Sequence, residues 1–80
     1  PYFKYKSAKY IIKKARIRAG TANAQIGRIV NIDDEGIWIE SRDGYVIINE
    51  LATEKGEDLP KDVFKIGSFI DSYTSNRNRL

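Results

Sequence analysis

The first third of the chain is rich in side chains that can bind an anion. Residues 1–28 contain eight Lys or Arg and no Asp or Glu, whereas residues 29–71 contain four basic and eleven acidic side chains. Cations along a sheet neutralise phosphates, and tyrosines can stack on unpaired bases. The pattern therefore favours a nucleic-acid-binding face. Its predicted members are Lys4, Lys6, Lys9, Lys13, Lys14, Arg16, Arg18 and Arg28, with Tyr2, Tyr5 and Tyr10 interleaved.

Structural roles fit the same residues. Lys and Arg along a strand can form a solvated surface, or a basic edge that discourages aggregation between sheets. Tyr5 and Tyr10 fit the core better than a binding surface, because most aromatic side chains of a small β domain are buried. Both interpretations of the basic segment stay open on the sequence alone.

No residues are spaced for catalysis. The chain has no Cys and no His, so it lacks a thiolate nucleophile and the commonest general base and metal ligand. The run Asp33-Asp34-Glu35 lies in a tight turn, where Asp has a backbone role, and it lacks the spacing of a calcium loop. Glycine-rich phosphate loops are missing as well. We predict no catalytic, cofactor-binding or metal-binding residue in this domain.

Trp38, Tyr45 and Ile47 form a second candidate site. They fall on the side of the predicted sheet opposite its core face. Either a short helix predicted near residues 60–66 covers them, or they stay open for a partner, and a Trp-centred patch marks a protein interface more often than a nucleic-acid site. No run of 18 apolar residues occurs, so we expect no membrane partner, and the absence of cysteine fits a cytoplasmic domain.

The elements that must position these residues include a three-stranded meander at 27–51. Two four-residue turns separate its strands, at 33–36 and 41–44, and each ends in Gly. Side chains alternate along a strand, so pairing across these turns gathers Val and Ile on one side, the predicted core face. The predicted pairs are Ile39 with Val46, Ile37 with Ile48, Ile32 with Ile37, and Val30 with Ile39.

The long basic strand at 9–18 does not alternate cleanly. Ile11 and Ile12 are both apolar, and in a regular strand Lys13 would share the face of Ala15 and Ile17. A β-bulge near Lys13-Lys14 would restore one apolar side and bend the strand, as a small barrel requires. That apolar side would consist of Tyr10, Ile12, Ala15 and Ile17.

Five stretches in order resemble a known family. They are Lys-Tyr-Ile-Ile-Lys-Lys-Ala at 9–15, Ile-Gly-Arg-Ile-Val-Asn-Ile at 26–32, Asp-Glu-Gly-Ile-Trp-Ile at 34–39, Asp-Gly-Tyr-Val-Ile-Ile-Asn-Glu-Leu at 43–51 and Leu-Pro-Lys-Asp-Val-Phe at 59–64. Over roughly residues 1–70 the chain resembles the C-terminal domain of methionyl-tRNA formyltransferases and related folate-dependent formyltransferases. Tryptophan is frequent in the tRNA enzymes at the position of Lys13, so a relative that acts on a different amine stays open.

The resemblance implies an all-β fold, a small OB-like open barrel of about five to six strands, with residues 1–73 as one domain and 74–80 as a frayed tail. It also implies a longer parent enzyme whose Rossmann-like domain holds the catalytic residues and the formyl-tetrahydrofolate site. In the tRNA enzymes the appended domain helps to hold tRNA through basic residues. In relatives that formylate sugar nucleotides or other amines, a similar domain has a structural or subunit-contact role, so docking on the catalytic domain or a second subunit is the alternative function. We expect a non-catalytic accessory domain that binds the tRNA backbone in translation initiation.

Overall fold

Among the described residues, six antiparallel strands form one sheet. The computed structural model describes residues 1–20, 25–57, 59 and 61–74. The strand order is β3-β4-β5-β2-β1-β6, and the sheet stays open rather than closing into a barrel. The all-β prediction of five to six strands is confirmed. The strands are β1 Tyr2–Tyr5, β2 Ala8–Ala19, β3 Ile29–Asp33, β4 Gly36–Ser41, β5 Gly44–Thr53 and β6 Ser72–Thr74.

The predicted short helix is one 3-10 turn, Lys61–Val63. Phe64 follows it directly and is buried in the core. Thr74, the first residue of the predicted tail, lies in β6 and pairs with Tyr2 of β1. Residues 75–80 of that tail lie outside the described residues. In the described part of the chain, no helix is long and apolar enough to span a bilayer.

Three of the four predicted pairs in the meander are confirmed. Ile39 pairs with Val46, Ile37 with Ile48, and Ile32 with Ile37. Four of these side chains are buried, and Ile32 packs against the same core from a partly buried position. The turn glycines and the apolar alternation therefore set this register, as expected from period-2 strands.

The fourth predicted pair is wrong. Ile39 pairs with Ile29 instead of Val30, because the register between β3 and β4 shifts between Ile29 and Asn31. Ile29 is consequently fully buried, whereas Val30 is only partly buried. A residue left unpaired by such a shift reverses which side of the sheet the preceding residues face. The local apolar pattern does not reveal this reversal.

Both meander turns require glycine because another backbone passes close to it. Gly36 and Gly44 have φ values of +135° and +148°. A Cβ at Gly36 would lie 2.1 Å from the carbonyl oxygen of Ile48, and one at Gly44 would lie 2.2 Å from that of Arg18. A side chain at either position would thus force the neighbouring strand away.

An aromatic cluster closes one end of the core. Phe64 has ring centroids 5.7 Å from Phe3, 5.1 Å from Tyr5 and 5.1 Å from Tyr10, distances typical of favourable aromatic pairs. Tyr5 and Tyr10 are both buried. The core interpretation of these two tyrosines is confirmed, and neither offers a ring to a base.

The hydroxyl of Tyr5 ties the C-terminal segment to the core. It lies 2.8 Å from Ser68 Oγ and accepts a hydrogen bond from the Lys65 amide at 3.3 Å. Burial opposes the ionisation of Tyr5, but these hydrogen bonds and the charges of Lys6 and Lys65 hold the pKa of the hydroxyl below its usual value.

Candidate nucleic-acid interface

The predicted β-bulge in β2 is confirmed. Ile12 pairs with Leu51 and Lys14 with Glu50, so Lys13 has no partner in β5. The next pair, Ala15 with Ile48, skips Asn49 in turn. One extra residue on each strand restores the original register beyond the bulge.

The bulge keeps lysine off the core face. Ile12 is buried. Ala15 and Ile17 pair with Ile48 and Val46 on the same side of the sheet, but both are exposed, Ile17 at 72%. Lys13 and Lys14 are both exposed and lie between Ile12 and Ala15, whereas in a regular strand two residues on the same side are separated by an odd number of residues. Neither lysine therefore has to enter the core.

Six of the eight predicted cations lie on the paired strands β1 and β2. Lys4, Lys9, Arg16 and Arg18 alternate with residues on the core side, Lys4 pairs directly with Lys9, and the consecutive Lys13 and Lys14 are exposed at the bulge. The line from Lys9 to Arg18 covers about 30 Å, at about 3.3 Å per residue. We call this group the basic strip. Its members are Lys4, Lys9, Lys13, Lys14, Arg16 and Arg18.

The structure places the other two cations elsewhere. Lys6 lies in the turn between β1 and β2 with φ of 49°, and its Nζ is 5.5 Å from the ring centroid of Tyr5. Arg28 precedes β3, which β4 and β5 separate from β2, and it forms an isolated bridge with Phe69. The eight predicted residues thus do not form one continuous surface.

Three members of the basic strip make local contacts. Lys9 Nζ lies 4.2 Å from the ring centroid of Tyr2. Arg16 forms an ion pair with Glu35, in which both side chains are about half exposed. Arg18 Cζ lies 5.3 Å from the ring centroid of Trp38, within the range of a cation–π interaction.

The candidate partner surface around Trp38 and Tyr45 adjoins the basic strip. Tyr45 pairs with Arg18, and the rings of Trp38 and Tyr45 meet edge to face with centroids 5.6 Å apart. Trp38 Nε1 donates a hydrogen bond to Asp33 Oδ1 at 3.0 Å, which fixes the ring. The two candidate surfaces predicted from the sequence are therefore contiguous.

Ile47 was predicted to be part of the partner interface, but its side chain has 0% exposure and cannot contact a partner. It pairs with Arg16 on one side and with Trp38 on the other, and these larger side chains cover it. Trp38 and Tyr45 remain partly exposed.

Sequence reasoning missed Glu35 as part of this surface. Glu35 lies in the turn between β3 and β4, and its backbone amide donates a hydrogen bond to Asp33 Oδ1 at 2.9 Å. Its contact with Arg16 depends on how β2 lies against the meander, and no local pattern signals it. Among the described residues, no group of three or more His, Cys, Asp or Glu is placed to hold a metal ion.

Comparison with protein-family models matches residues 1–68 to the formyl transferase, C-terminal domain. The chain belongs to this family. The match covers the family as a whole, so the predicted methionyl-tRNA subtype stays a prediction. No curated protein and no solved structure matches the chain.

A formyltransferase C-terminal domain is an accessory part of its enzyme, as the resemblance implies. The stretch that most resembles the family, 27–51, corresponds to the meander of β3, β4 and β5. Lys13, which departs from the tRNA enzymes, is the exposed extra residue of the bulge. A change of residue type there leaves the core packing intact.

Proposed function

We propose that this formyltransferase C-terminal domain holds tRNA for its parent enzyme by binding the phosphate backbone along the basic strip. The observation that supports the proposal is the bulge in β2. It leaves Lys13 and Lys14 exposed on the same strand as the exposed Arg16 and Arg18. A row of six cations on two paired strands suits a polyanion better than a small acidic ligand.

The domain orients the RNA and does not read its sequence. Phosphate contacts fix the position of a nucleic acid without distinguishing bases. Side chains on one face of a strand repeat at about 6.6 Å, so a row about 30 Å long meets several phosphates. The catalytic domain of the parent enzyme, with formyl-tetrahydrofolate, performs the transfer in the cytoplasm, where this domain delivers the tRNA.

Salt-dependent binding tests the proposal. If about four cations reach phosphates, a log–log plot of the affinity of the chain for unfractionated tRNA against salt has a slope of roughly −3 to −4. The double variant Lys13→Gln/Lys14→Gln should lower the magnitude of the slope by about 1.8. The control Lys55→Gln/Lys65→Gln removes the same charge from exposed positions outside the strip and should leave the slope unchanged. A slope near zero for the unmodified chain contradicts the proposal.

Docking on the catalytic domain or on a second subunit of a sugar or other amine N-formyltransferase is the second candidate function. The observation that favours it is an exposed Phe69, at 49%, beside Arg28 at the start of β3. Trp38 is a poor probe of docking, because a change there also disturbs Arg18. Phe69→Ser should weaken assembly of the parent enzyme and leave RNA affinity unchanged. If assembly is unaffected, the docking function is wrong for this surface.

A further inference from the structure

We propose that Arg18, held over Trp38, is a stacking platform for an unpaired base of the bound RNA rather than a phosphate contact. This inference rests on the proposed function, because it concerns one end of the same basic strip. It adds a ligand class that phosphate binding alone does not select, namely a single-stranded nucleotide.

The ring beneath Arg18 is fixed before any ligand arrives. Trp38 is held by the hydrogen bond from its indole to Asp33 and by the edge of Tyr45, whose centroid lies 5.6 Å away. Arg18 pairs with Tyr45 across β2 and β5, and this pairing directs its side chain over the adjacent indole. The cation–π contact favours this position of the guanidinium before a base binds.

The chemistry of the guanidinium suits a base. It is planar and weakly hydrated, and RNA-binding proteins stack splayed bases on arginine planes as well as on aromatic rings. Arg18 Cζ lies 5.3 Å from the Trp38 ring centroid, and Arg18 is exposed to solvent. A base placed on the solvent side would complete a stack of base, guanidinium and indole.

Arg18 differs in this respect from its neighbours on the strip. Arg16 is engaged by the carboxylate of Glu35, and the lysines have no plane to offer. Arg18 also lies next to the last residue of β2, where the row of cations ends. Bases inside a duplex are stacked on each other, so the platform takes a base from a loop or a chain end.

The fluorescence of Trp38 gives a direct readout, because the chain contains a single Trp. We would titrate the unmodified chain with a single-stranded oligoadenylate and with an RNA duplex of equal length. The single strand should quench the fluorescence, and the duplex should bind without quenching. Equal quenching by both, or none at saturation with the single strand, would overturn the stacking role.

Arg18→Lys separates stacking from charge. It keeps the cation and removes the plane, so we expect single-strand affinity to fall about 5- to 100-fold with the salt slope unchanged. Arg16→Lys, the same change two residues away on the same side, should have little effect. Equal affinity losses in the two variants would refute a special role for Arg18. If the unmodified chain binds no RNA at low salt, the proposed function itself fails, whereas salt-steep binding without quenching rejects the platform alone.

Discussion

Replacing Glu35 with Gln should weaken the fold slightly and strengthen RNA binding. The carboxylate of Glu35 engages Arg16, a member of the basic strip, and the two side chains are 46% and 52% exposed. An ion pair this exposed contributes about 0.2–1 kcal/mol. We therefore expect a fall in the free energy of unfolding of at most about 1 kcal/mol, or about 4–8 °C in Tm. The amide side chain preserves the size of the residue, and its backbone contacts in the turn remain.

The same substitution releases Arg16 for a phosphate. A phosphate no longer has to displace Glu35, so tRNA affinity should rise by about 1.5- to 5-fold, the equivalent of the lost ion pair. One further cation on the RNA should also make the log–log salt slope steeper by about 0.9. Stability and affinity thus change in opposite directions.

Thermal unfolding and a salt titration with tRNA measure both effects on one protein preparation. Asp62→Asn is the matched control, because it removes one exposed negative charge from the 3-10 turn, away from the strip. It should raise affinity only through net charge, with no change in slope. If Glu35→Gln binds no better than Asp62→Asn and has the same slope, Arg16 is not a phosphate contact and this part of the reasoning is refuted.

Three further predictions concern the fold and can be measured by urea unfolding. Gly36→Ala should lower the free energy of unfolding more than Gly56→Ala does, because both glycines have positive φ but only a Cβ at Gly36 would clash with a neighbouring backbone. Gly56→Ala should cost about 1–2 kcal/mol. Equal losses in the two variants would contradict the packing argument. Tyr5→Phe removes the hydroxyl that meets Ser68 and should cost about 0.5–1.5 kcal/mol; no loss would mean that this contact does not hold the C-terminal segment. Phe64→Ala opens the aromatic cluster and should cost about 3–5 kcal/mol, and a loss below 1 kcal/mol would show that the cluster is not part of the core.

The meander was predictable because its information is local. Its turn glycines and its alternating Val and Ile residues lie within 25 consecutive positions, and they specify both hairpins. The one error in the meander has a physical cause. Val30 and Ile29 are neighbouring β-branched residues of similar hydrophobicity, so the sequence pattern does not tell which one the register shift leaves unpaired.

The arrangement of the candidate site was only partly predictable. The break in alternation around Lys13 indicated the bulge, because a buried lysine in a regular strand would be costly. The partner of β2 could not be predicted from local patterns, since Arg18 pairs with Tyr45, which lies 27 residues further along the chain. That pairing buries Ile47 and joins the basic strip to Trp38, which the sequence had suggested as a separate surface.

Mapping of the backbone amide resonances during addition of tRNA tests the central claim most directly. The account predicts that the shifts concentrate in β1 and β2, at 4–18, that they fade as salt is added, and that the 3-10 turn and Phe69 stay unperturbed. Shifts centred on Phe69 and the start of β3, or no shifts at low salt, would contradict binding along the basic strip. Either result would favour docking on another part of the enzyme.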